Sequence, residues 1–393
     1  MLKFLFFFSF FIVFYSYIGY GIIIYLLVKI KRLFSDPDNT SLVAGFEPET
    51  TLVVAAYNEA GFIEQKILNS LQLDYPPGKL RWIFITDGSN DETPEIIRKY
   101  DRILLLHQPE RKGKVAALNR AIHYVETPYA IFCDANTLLN PMAVREIMKH
   151  YADPHVGGVA GEKKIISSKD DQAAGAGEGI YWKYESFLKK LDSEFYSVVG
   201  AAGELFSVKT SLFRQAGENT ILEDFVQSMQ ICMSGYVVRY EPNAFALETA
   251  SATMKEEQKR KVRITAGAFQ AMVILKGLFN IFRYPVLSFQ FISHRILRWT
   301  ICPLCLIIFF VSDIFLVYQG AGGFYQVVLL IQTVFFTLAL AGWFFAYRNI
   351  KVKSFYVPYY FLFMNMSVFI GFYRFIRKTQ SAVWEKAVRH PRP

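Results

Sequence analysis

The sequence predicts an α/β domain with a mostly parallel sheet, flanked on both sides by transmembrane helices. Between residues 44 and 254, short β-rich apolar runs alternate with helical patterns, and this alternation is typical of a parallel sheet with helices on both faces. The two ends of the 393-residue chain are much more apolar, and they bring the hydrophobic share to 53% and the mean hydropathy to +0.23. Soluble domains are less apolar than this, so the ends indicate a membrane protein.

The N-terminal segment, residues 1–32, has the features of a retained membrane anchor. The stretch from Phe4 to Val28 carries no charge and is long enough to cross the hydrocarbon core as a helix. It has no small-residue cleavage site, which argues against a cleaved signal peptide. The residues that follow at once are basic, namely Lys29, Lys31 and Arg32. Because positive charge favours the cytoplasmic side, we expect a multi-pass membrane protein whose α/β domain lies on the cytoplasmic face.

Residues 299–375 contain three further apolar stretches that could each span the membrane. They lie at about Thr300 to Tyr318, Phe324 to Tyr347 and Phe355 to Phe372. Four spans in all would leave the C-terminus on the side opposite the domain. The tail at residues 376–393 is nevertheless rich in Lys and Arg, which favours the cytoplasm. This conflict predicts that one C-terminal segment is re-entrant or interfacial.

Residues 255–298 form a basic segment directly before the first of these spans, with nine Lys or Arg and two Glu. Phenylalanines alternate with the basic residues, which predicts an amphipathic segment that lies in the membrane interface and contacts anionic headgroups of the lipid bilayer. Nucleic acid is not the expected partner, although the net charge is +9, because no reading motif accompanies the charge. Cys302 and Cys305 form a C-x-x-C within a predicted span, which argues against a zinc or redox site.

The strands of the domain are predicted by short apolar runs at residues 51–56, 81–86, 102–106 and 129–134. Helical patterns lie between these runs. The helix after the second strand opens with Thr93 and Pro94, where proline suits the first turn. The helix after the third strand opens at Lys114, directly after Gly113. This order predicts parallel pairing among the first four strands.

Three of these strands end in polar clusters: Tyr57-Asn58-Glu59, Asp87-Gly88-Ser89 and Asp134-Ala135-Asn136. Each cluster by itself could cap a helix or form a turn. All three, however, fall at the carboxyl ends of predicted parallel strands, where open α/β sheets bind their ligands. Because one nucleotide could touch all three, their coincidence favours a nucleotide site.

The residue types in these clusters suit a nucleotide bound together with a divalent cation. The oxygens of Asp134 and Asn136 are ligands that Mg²⁺ or Mn²⁺ accepts and shares with phosphates. Asp87 could accept a hydrogen bond from a base or ribose, and Tyr57 offers an aromatic face for a base. Lys114 lies at a helix start, where backbone N–H groups and its ammonium group both favour a diphosphate. The spacing is not that of a Walker P-loop, which excludes that class of ATPase.

Taken together, four motifs resemble family 2 glycosyltransferases with a GT-A (Rossmann-like) fold. The motifs are Val54-Ala55-Ala56-Tyr57-Asn58-Glu59, Thr86-Asp87-Gly88-Ser89-Asn90-Asp91, Arg111-Lys112-Gly113-Lys114 with Ala117-Leu118-Asn119, and Asp134-Ala135-Asn136. The resemblance runs from about residue 50 to 270 and is greatest to the membrane-embedded synthases of poly-β-1,6-N-acetylglucosamine, hyaluronan and cellulose. It implies a mixed, mostly parallel sheet and a metal-dependent transferase that uses a UDP-sugar donor.

The resemblance also implies roles for individual residues. Asp87 matches the carboxylate that contacts the nucleoside, and Asp134 matches the first Asp of the family's Asp-x-Asp motif. Asn136 stands where a second Asp is usual, and the lost charge should weaken the cation site, although neutral oxygen still binds a cation. The expected nucleotide-sugar site is completed by Tyr57, Asn58, Glu59, Lys114 and Arg263.

Two further motifs imply the acceptor site and the catalytic base. The run Gly200-Ala201-Ala202-Gly203-Glu204 resembles the family's small-residue loop beneath the acceptor, so Gly203 and Glu204 are expected acceptor contacts. The run Ile221-Leu222-Glu223-Asp224-Phe225 resembles the family's Thr-Glu-Asp motif, although its first residues depart from that pattern. Asp224 is therefore the expected general base, with Glu223 as a second catalytic carboxylate. The alternatives are a tight turn and a Glu-Asp pair that complements a helix dipole.

The motif on which acceptor sugars stack in processive relatives is altered here. Those relatives have Gln-x-x-Arg-Trp, whereas this chain has Arg260-Lys261-Val262-Arg263-Ile264. The absent tryptophan puts processivity in doubt, so two functions stay open: a polymer-forming synthase, and a single-addition transferase that acts on a polyprenyl-phosphate-linked acceptor. A non-catalytic membrane scaffold is a third alternative, against which Asp87, Asp134 and Asp224 argue. Four spans are few for a glycan channel, so a translocating enzyme would need a homodimer or an accessory subunit.

The expected reaction is inverting transfer of a hexose or N-acetylhexosamine from a UDP-sugar to a polysaccharide or glycolipid acceptor. Asp224 would take the proton of the acceptor hydroxyl as its oxygen attacks the anomeric carbon. A cation on Asp134 and Asn136, with Lys114 and Arg263, would stabilise the departing diphosphate.

Overall fold

The computed structural model describes residues 1–34, 45–166, 174–249, 254–348 and 353–383. Within these ranges, eight strands form one sheet. The strands are β1 Thr50–Ala56, β2 Leu80–Asp87, β3 Ile103–Gln108, β4 Tyr129–Asp134, β5 Leu138–Leu139, β6 Val156–Ile166, β7 Leu205–Lys209 and β8 Val237–Thr249. Their spatial order is β3-β2-β1-β4-β7-β6-β8-β5.

Helices cover the sheet and extend from both ends of the domain. They are α1 Leu2–Phe34, α2 Ile63–Leu71, α3 Thr93–Arg98, α4 Lys114–Ala121, α5 Ala143–Met148, α6 Ala174–Phe195, α7 Glu223–Met233, α8 Met254–Ile274, α9 Pro285–Phe291, α10 Ile301–Tyr318, α11 Gly323–Tyr347 and α12 Lys353–Arg377. A π turn at Tyr15–Gly19 interrupts α1, and α9 continues through a π turn at Ile292–Ile296 and a helical turn at Leu297–Trp299. Short 3-10 helices lie at Ile122–Tyr124, Lys149–Ala152, Thr210–Leu212 and Lys276–Phe279.

The first four strands pair in parallel, as predicted. Strand β1 pairs with β2 up to Ala56 opposite Thr86, and with β4 up to Ala55 opposite Asp134. The carboxyl ends of these strands therefore lie at one edge, and the polar clusters that follow them meet there. The other half of the sheet is mixed, because β7 is antiparallel to both β4 and β6, whereas β6 and β8 are parallel. The predicted mixed, mostly parallel GT-A-type sheet is confirmed.

Strands β1 and β4 are largely apolar because both faces of the sheet are buried there. On β1, Leu52 packs with Ile63 and Ile67 of α2 on one face, whereas Val53 packs with Ala117 of α4 on the other. All of these side chains are buried. Such a strand reads as a continuous apolar run, which is why the sequence located it well. The predicted strand ends differ from the observed ones by one or two residues.

Four helices are long and apolar enough to cross a membrane: Leu2–Phe34, Ile301–Tyr318, Gly323–Tyr347 and Ser354–Arg377. The first is longer than the predicted anchor, because the helix continues through the basic residues to Phe34 and stays attached to the domain. There Lys31 donates to the carbonyl oxygens of Glu194 and Phe195, at 2.7 and 2.8 Å. The anchor and the domain are thus joined rigidly at the end of α6.

The last helix, α12, packs lengthwise along α8. The ring of Phe372 lies 4.9 Å from that of Phe269, and Thr265 donates to the carbonyl oxygen of Ser367 at 2.9 Å. Gly371 makes this approach possible, since a Cβ there would lie 2.1 Å from the hydroxyl oxygen of Thr265. After α12 the chain returns to the domain, where the carbonyl oxygen of Ala382 accepts from Arg263 at 3.2 Å. Residues 384–393 of the predicted basic tail lie outside the described residues.

Candidate active site

Lys114 forms ion pairs with two other predicted site residues, Asp134 and Glu223, at the carboxyl edge of the sheet. It begins α4, and its Nζ lies 2.7 Å from Oδ1 of Asp134 at the end of β4 and 3.2 Å from Oε1 of Glu223 at the start of α7. The small-residue loop reaches the same place, since a Cβ on Gly203 would lie 2.8 Å from this Nζ and 3.2 Å from Oδ2 of Asp224. The structure therefore brings together the expected cation ligand, diphosphate ligand, general base and acceptor loop.

Asp87 shapes the loop that presents Lys114. Its two carboxylate oxygens accept the backbone N–H groups of Lys112 and Gly113, at 3.0 and 2.6 Å. Gly113 has a φ of +96°, a conformation that glycine adopts without strain, and α4 starts at the next residue. Each oxygen of a carboxylate keeps a further lone pair, so this structural role leaves Asp87 able to accept from a nucleoside.

The cluster after β1 mainly joins two loops. Asn58 has a φ of +53°, and its carboxamide exchanges hydrogen bonds with Asn90, at 2.8 and 2.9 Å. The backbone N–H of Glu59 donates to the hydroxyl of Thr93 at 2.8 Å. Asn58 and Glu59 thereby fix the loop after β1 to the loop after β2. The sequence pattern did not separate this role from direct nucleotide contact, because Asn suits turns and ligands equally.

Tyr57 lies at the edge of the site with one face of its ring already covered. The guanidinium carbon of Arg111 lies 3.7 Å from the ring centroid, a cation–π contact. A base that stacked on this face would displace Arg111. Gly88 brings Arg111 here, because a Cβ on Gly88 would lie 2.6 Å from the Cβ of Arg111.

The electrostatics of the cluster set the protonation of its members. Burial alone would lower the pKa of Lys114, but Asp134, Glu223 and Asp224 outweigh it and raise that pKa well above its usual value. Burial raises the pKa of Asp134, and the charge of Lys114 partly opposes the shift. Burial, followed by the charge of Glu223, raises the pKa of Asp224 to about 7. A carboxyl group with a pKa near neutral pH suits general-base work.

The oxygen ligands here fit a divalent cation that is shared with a substrate diphosphate. Asp134 supplies one partly buried carboxylate, and the carboxamide of Asn136 follows two residues later. Within the described ranges, no group of three or more His, Cys, Asp or Glu side chains could hold a metal ion by itself. Mg²⁺ is commonly bound in this way, by one or two carboxylates with phosphate oxygens and water completing its shell. Asp134 and Asn136 would hold the ion.

The acceptor loop has little room for side chains. Gly200 has a φ of +88°, and a Cβ there would lie 2.1 Å from the ring of Phe225, the residue after the expected base. At the other end of the loop, Glu204 lies 2.6 Å from Lys163, which also pairs with Glu248. Burial alone would raise the pKa of Glu204, but Lys163 outweighs it and holds that pKa below its usual range. Glu204 is therefore an ionised member of a buried charge network beside the cavity.

A cavity of about 510 Å³ extends from this cluster to the membrane helices. Lys114, Asp134 and Asp224 line one end, and Tyr17 of α1 and Phe361 of α12 line the other. Its volume is in the range of small-molecule sites. Arg263 and Ile264, which belong to the altered acceptor motif, also line it. The Nε atom of Arg263 is buried with no hydrogen-bond partner among the described residues.

Sequence reasoning missed most of the residues at the membrane-side end of this cavity. They include Tyr184, Arg295, Arg298, Trp299 and Asn365. Tyr181 and Trp182 also line the cavity. These side chains come from α6, from the turns that follow α9 and from α12, which are far apart along the chain. The signal that could have found them is the unusual density of aromatic and basic residues next to predicted spans.

Comparisons with known proteins agree with this geometry. The model of the family described as "Glycosyl transferase family 2" matches residues 51–217. The chain is 27% identical over 266 residues to a poly-β-1,6-N-acetyl-D-glucosamine synthase of Staphylococcus aureus, which covers 63% of this chain and 62% of that protein. It is 25% identical over 306 residues to the synthase of the same name from Staphylococcus epidermidis, which covers 74% of this chain and 72% of that protein. The chain thus spans about 62% of the length of the S. aureus relative.

The fold is also found in a solved structure, a mannosyltransferase from Pyrobaculum calidifontis in complex with GDP-mannose and Mn²⁺. The TM-score is 0.72 at 20% sequence identity, and the match covers 96% of this chain and 99% of that one. The similarity thus includes the helices outside the sheet domain. Residues 51–217 of this chain thus match glycosyl transferase family 2, within a protein that resembles the poly-β-1,6-N-acetyl-D-glucosamine synthases.

Proposed function

We propose that this protein is a membrane-embedded inverting glycosyltransferase that transfers a hexose or N-acetylhexosamine from a UDP-sugar to a glycan or lipid-linked acceptor. One observation carries the proposal. A carboxylate with a pKa of about 7, Asp224, lies beside the Lys114 to Asp134 ion pair at the domain end of a cavity that continues to the membrane helices. The S. aureus relative is named for a β-linked N-acetylglucosamine polymer, which favours N-acetylhexosamine in exopolysaccharide synthesis.

In this mechanism the acceptor hydroxyl enters from the membrane-side end of the cavity. Its oxygen attacks the anomeric carbon opposite the diphosphate, and its proton passes to the carboxylate of Asp224. The bond to the diphosphate breaks, and its electron pair leaves with UDP, so the configuration inverts. Lys114 and Arg263 hold the diphosphate by charge. A divalent cation held by Asp134 and Asn136 would add positive charge beside the diphosphate. The similar mannosyltransferase structure from P. calidifontis contains Mn²⁺.

A screen of UDP-sugars with the purified full-length protein tests the proposal. Release of UDP and a labelled product are measured with Mg²⁺ or Mn²⁺ present and again with excess EDTA. We expect one UDP-sugar to give both UDP and a glycosylated product, and EDTA to stop their formation. If no UDP-sugar in the panel is bound or turned over with either metal, the proposal is wrong.

The return of the chain to the domain also bears on membrane topology. The chain leaves the domain before α10 and is back beside Arg263 at Ala382, so it crosses the membrane an even number of times in between. Helices α10 and α11 contact α1, through rings such as Phe309 on Phe10. Helix α12 packs against α11, through Phe361 on Phe335, and also along α8, through Phe372 on Phe269. We therefore assign α12 as the interfacial segment. Three crossings by α1, α10 and α11 then agree with a cytoplasmic domain and a cytoplasmic basic tail.

A single-addition transferase is the second candidate. Ile264 lines the cavity where processive relatives carry the stacking tryptophan, which favours addition of one sugar over polymerisation. The length of the product made from labelled UDP-sugar separates the two. A ladder of products supports the synthase, and one discrete product supports single addition.

A further inference from the structure

Arg298 holds a buried guanidinium group at the membrane-side end of the cavity. It is the penultimate residue of the turn Leu297–Trp299, three residues before α10 begins at Ile301. Its Nε donates to the carbonyl oxygen of Ser16 at 3.1 Å, and its Nη1 lies 3.4 Å from Oε2 of Glu185. Only 10% of the Arg298 side chain is exposed. Its Nη2 is buried and has no hydrogen-bond partner among the described residues. Native structures rarely leave such a donor unmatched, so this buried group points to a ligand with acceptor oxygens.

The charge around Arg298 is unbalanced in favour of an anion. Arg295 also lines the cavity, and its Nη2 lies 2.5 Å from Oε1 of Glu185. One carboxylate thus faces two guanidinium groups, and the other carboxylate nearby, Asp192, is bonded to Tyr20 and His294. The carbonyl oxygen of Val199 accepts a hydrogen bond from Arg295 at 3.1 Å. This bond holds the guanidinium group of Arg295 in place, just as the carbonyl oxygen of Ser16 holds that of Arg298. Two preorganised guanidinium groups that share one carboxylate favour a phosphate, since Arg matches phosphate oxygens in geometry and charge.

The opposite wall of this end of the cavity is apolar. It is formed by Val357, Phe361, Met364 and Val368 of α12. Val357 lines the cavity and is 40% exposed, so the cavity opens on the surface of the apolar helices. Because Arg298 directly precedes the membrane-spanning helix α10, its charge lies at the depth of lipid headgroups. A charged group at headgroup depth beside an apolar wall matches a lipid with a phosphate head.

We infer that this end of the cavity binds the phosphate of a lipid acceptor, with Arg298 and Arg295 as its ligands and the lipid chain along α12. The inference rests on the proposed function and names its acceptor class. The phosphate is held and not transferred, so the reaction stays the one given above, with the acceptor hydroxyl proton passing to Asp224. A neutral glycan would leave the excess charge at Arg298 unmatched, whereas a phosphate supplies the missing acceptor oxygens.

Binding of labelled polyisoprenyl monophosphate to the purified full-length protein in nonionic detergent tests this inference. Unlabelled polyisoprenyl monophosphate, polyisoprenol and inorganic phosphate are compared as competitors. We expect the monophosphate lipid to compete at least about tenfold better than the alcohol, and inorganic phosphate to compete only weakly, because both the head and the chain contribute. Equal competition by the alcohol would overturn the inference, and full competition by inorganic phosphate would show a free-anion site in place of a lipid site.

Two substitutions locate the phosphate. Arg298→Gln should weaken binding of the monophosphate lipid about tenfold, whereas Arg298→Lys, which keeps the charge, should lose less. Arg283→Gln is the matched control, because Arg283 is exposed in the same basic segment and should bind as the wild type does. Unchanged binding in both Arg298 variants contradicts the inference. UDP-sugar affinity is measured on the same samples: if it is present while the lipid fails to bind, the inference alone is wrong, and if it is absent throughout, the proposed function fails too.

Discussion

At the scale of single residues, the proposed chemistry depends on the pKa of Asp224, which its surroundings bring close to neutral pH. Burial disfavours its charged form, Glu223 adds repulsion, and Lys114 opposes both. The net result is a pKa of about 7, far above that of a solvated aspartate. Because a general base acts in its deprotonated form, the transfer rate should rise with pH up to about 7 and then level off.

Glu223→Gln is expected to shift this pH profile. Removing the neighbouring negative charge stabilises the ionised form of Asp224, so its pKa falls and the acid limb of the profile moves to lower pH. The transfer rate is measured from pH 5 to 9 in both proteins at saturating UDP-sugar. Asp101→Asn, an exposed carboxylate away from the cavity, is the control and should leave the profile unchanged. An acid limb that stays in place or moves upward in Glu223→Gln would contradict the electrostatic account.

The residues that sequence reasoning located are those that belong to a local pattern. Asp87, Lys114 and Asp134 directly follow apolar strands or open a helix, so their position at the sheet edge is fixed by the strand pairing. Arg298 could not be located in this way, because its place in the cavity depends on α1, α6 and α9 meeting. The cation–π contact between Arg111 and Tyr57 could not be predicted from the sequence either, since it depends on two loops that meet at Gly88.

At the scale of elements, the proposed mechanism makes the loop at residues 200–203 the part that limits how closely an acceptor approaches Asp224. Gly203→Ala places a Cβ 2.8 Å from Nζ of Lys114 and 3.2 Å from Oδ2 of Asp224. Both atoms are the ends of side chains that can shift, so the fold should tolerate the change while the catalytic geometry does not. We expect roughly a 10 to 100-fold loss of transfer rate.

The control for that variant is Gly61→Ala, because a Cβ at Gly61 meets open space. Thermal unfolding of both variants should match the wild type to within a few degrees. Wild-type transfer by Gly203→Ala would show that the loop does not border the reacting atoms.

The membrane elements were only partly predictable. Composition marks α12 as a possible span, and hydropathy alone cannot distinguish a span from a helix that lies in the interface. What favours an interfacial α12 in the proposed topology is the return of the chain to Arg263 at Ala382, together with the contacts of α12 with α8. The positive-inside rule had already indicated that one segment does not cross, without showing which one.

Cysteine labelling tests this topology. Ser381→Cys after α12 and Gln319→Cys between α10 and α11 are both exposed positions, and the four native cysteines are buried. In sealed vesicles, a membrane-impermeant maleimide should label position 381 from the cytoplasmic side and position 319 from the opposite side. Labelling of both positions from one side would contradict the assignment of α12.

At the scale of the whole molecule, the sheet domain and the membrane helices share one cavity. Its domain end carries the ionised cluster around Lys114, and its membrane-side end carries Arg298 and the apolar wall of α12. The division into a globular middle and apolar ends was predictable from hydropathy. The cavity itself was not, because its walls come from segments spread over more than three hundred residues, from Tyr17 to Val368.

The most direct test of the central claim, that this cluster performs glycosyl transfer, compares wild-type protein with Asp224→Asn. UDP-sugar affinity and the rate of labelled sugar transfer are measured on the same full-length preparations with Mg²⁺ or Mn²⁺. We expect the variant to bind the donor as the wild type does and to transfer sugar about 10² to 10⁴-fold more slowly, because an amide cannot accept the proton. Transfer by Asp224→Asn at close to the wild-type rate would contradict the account.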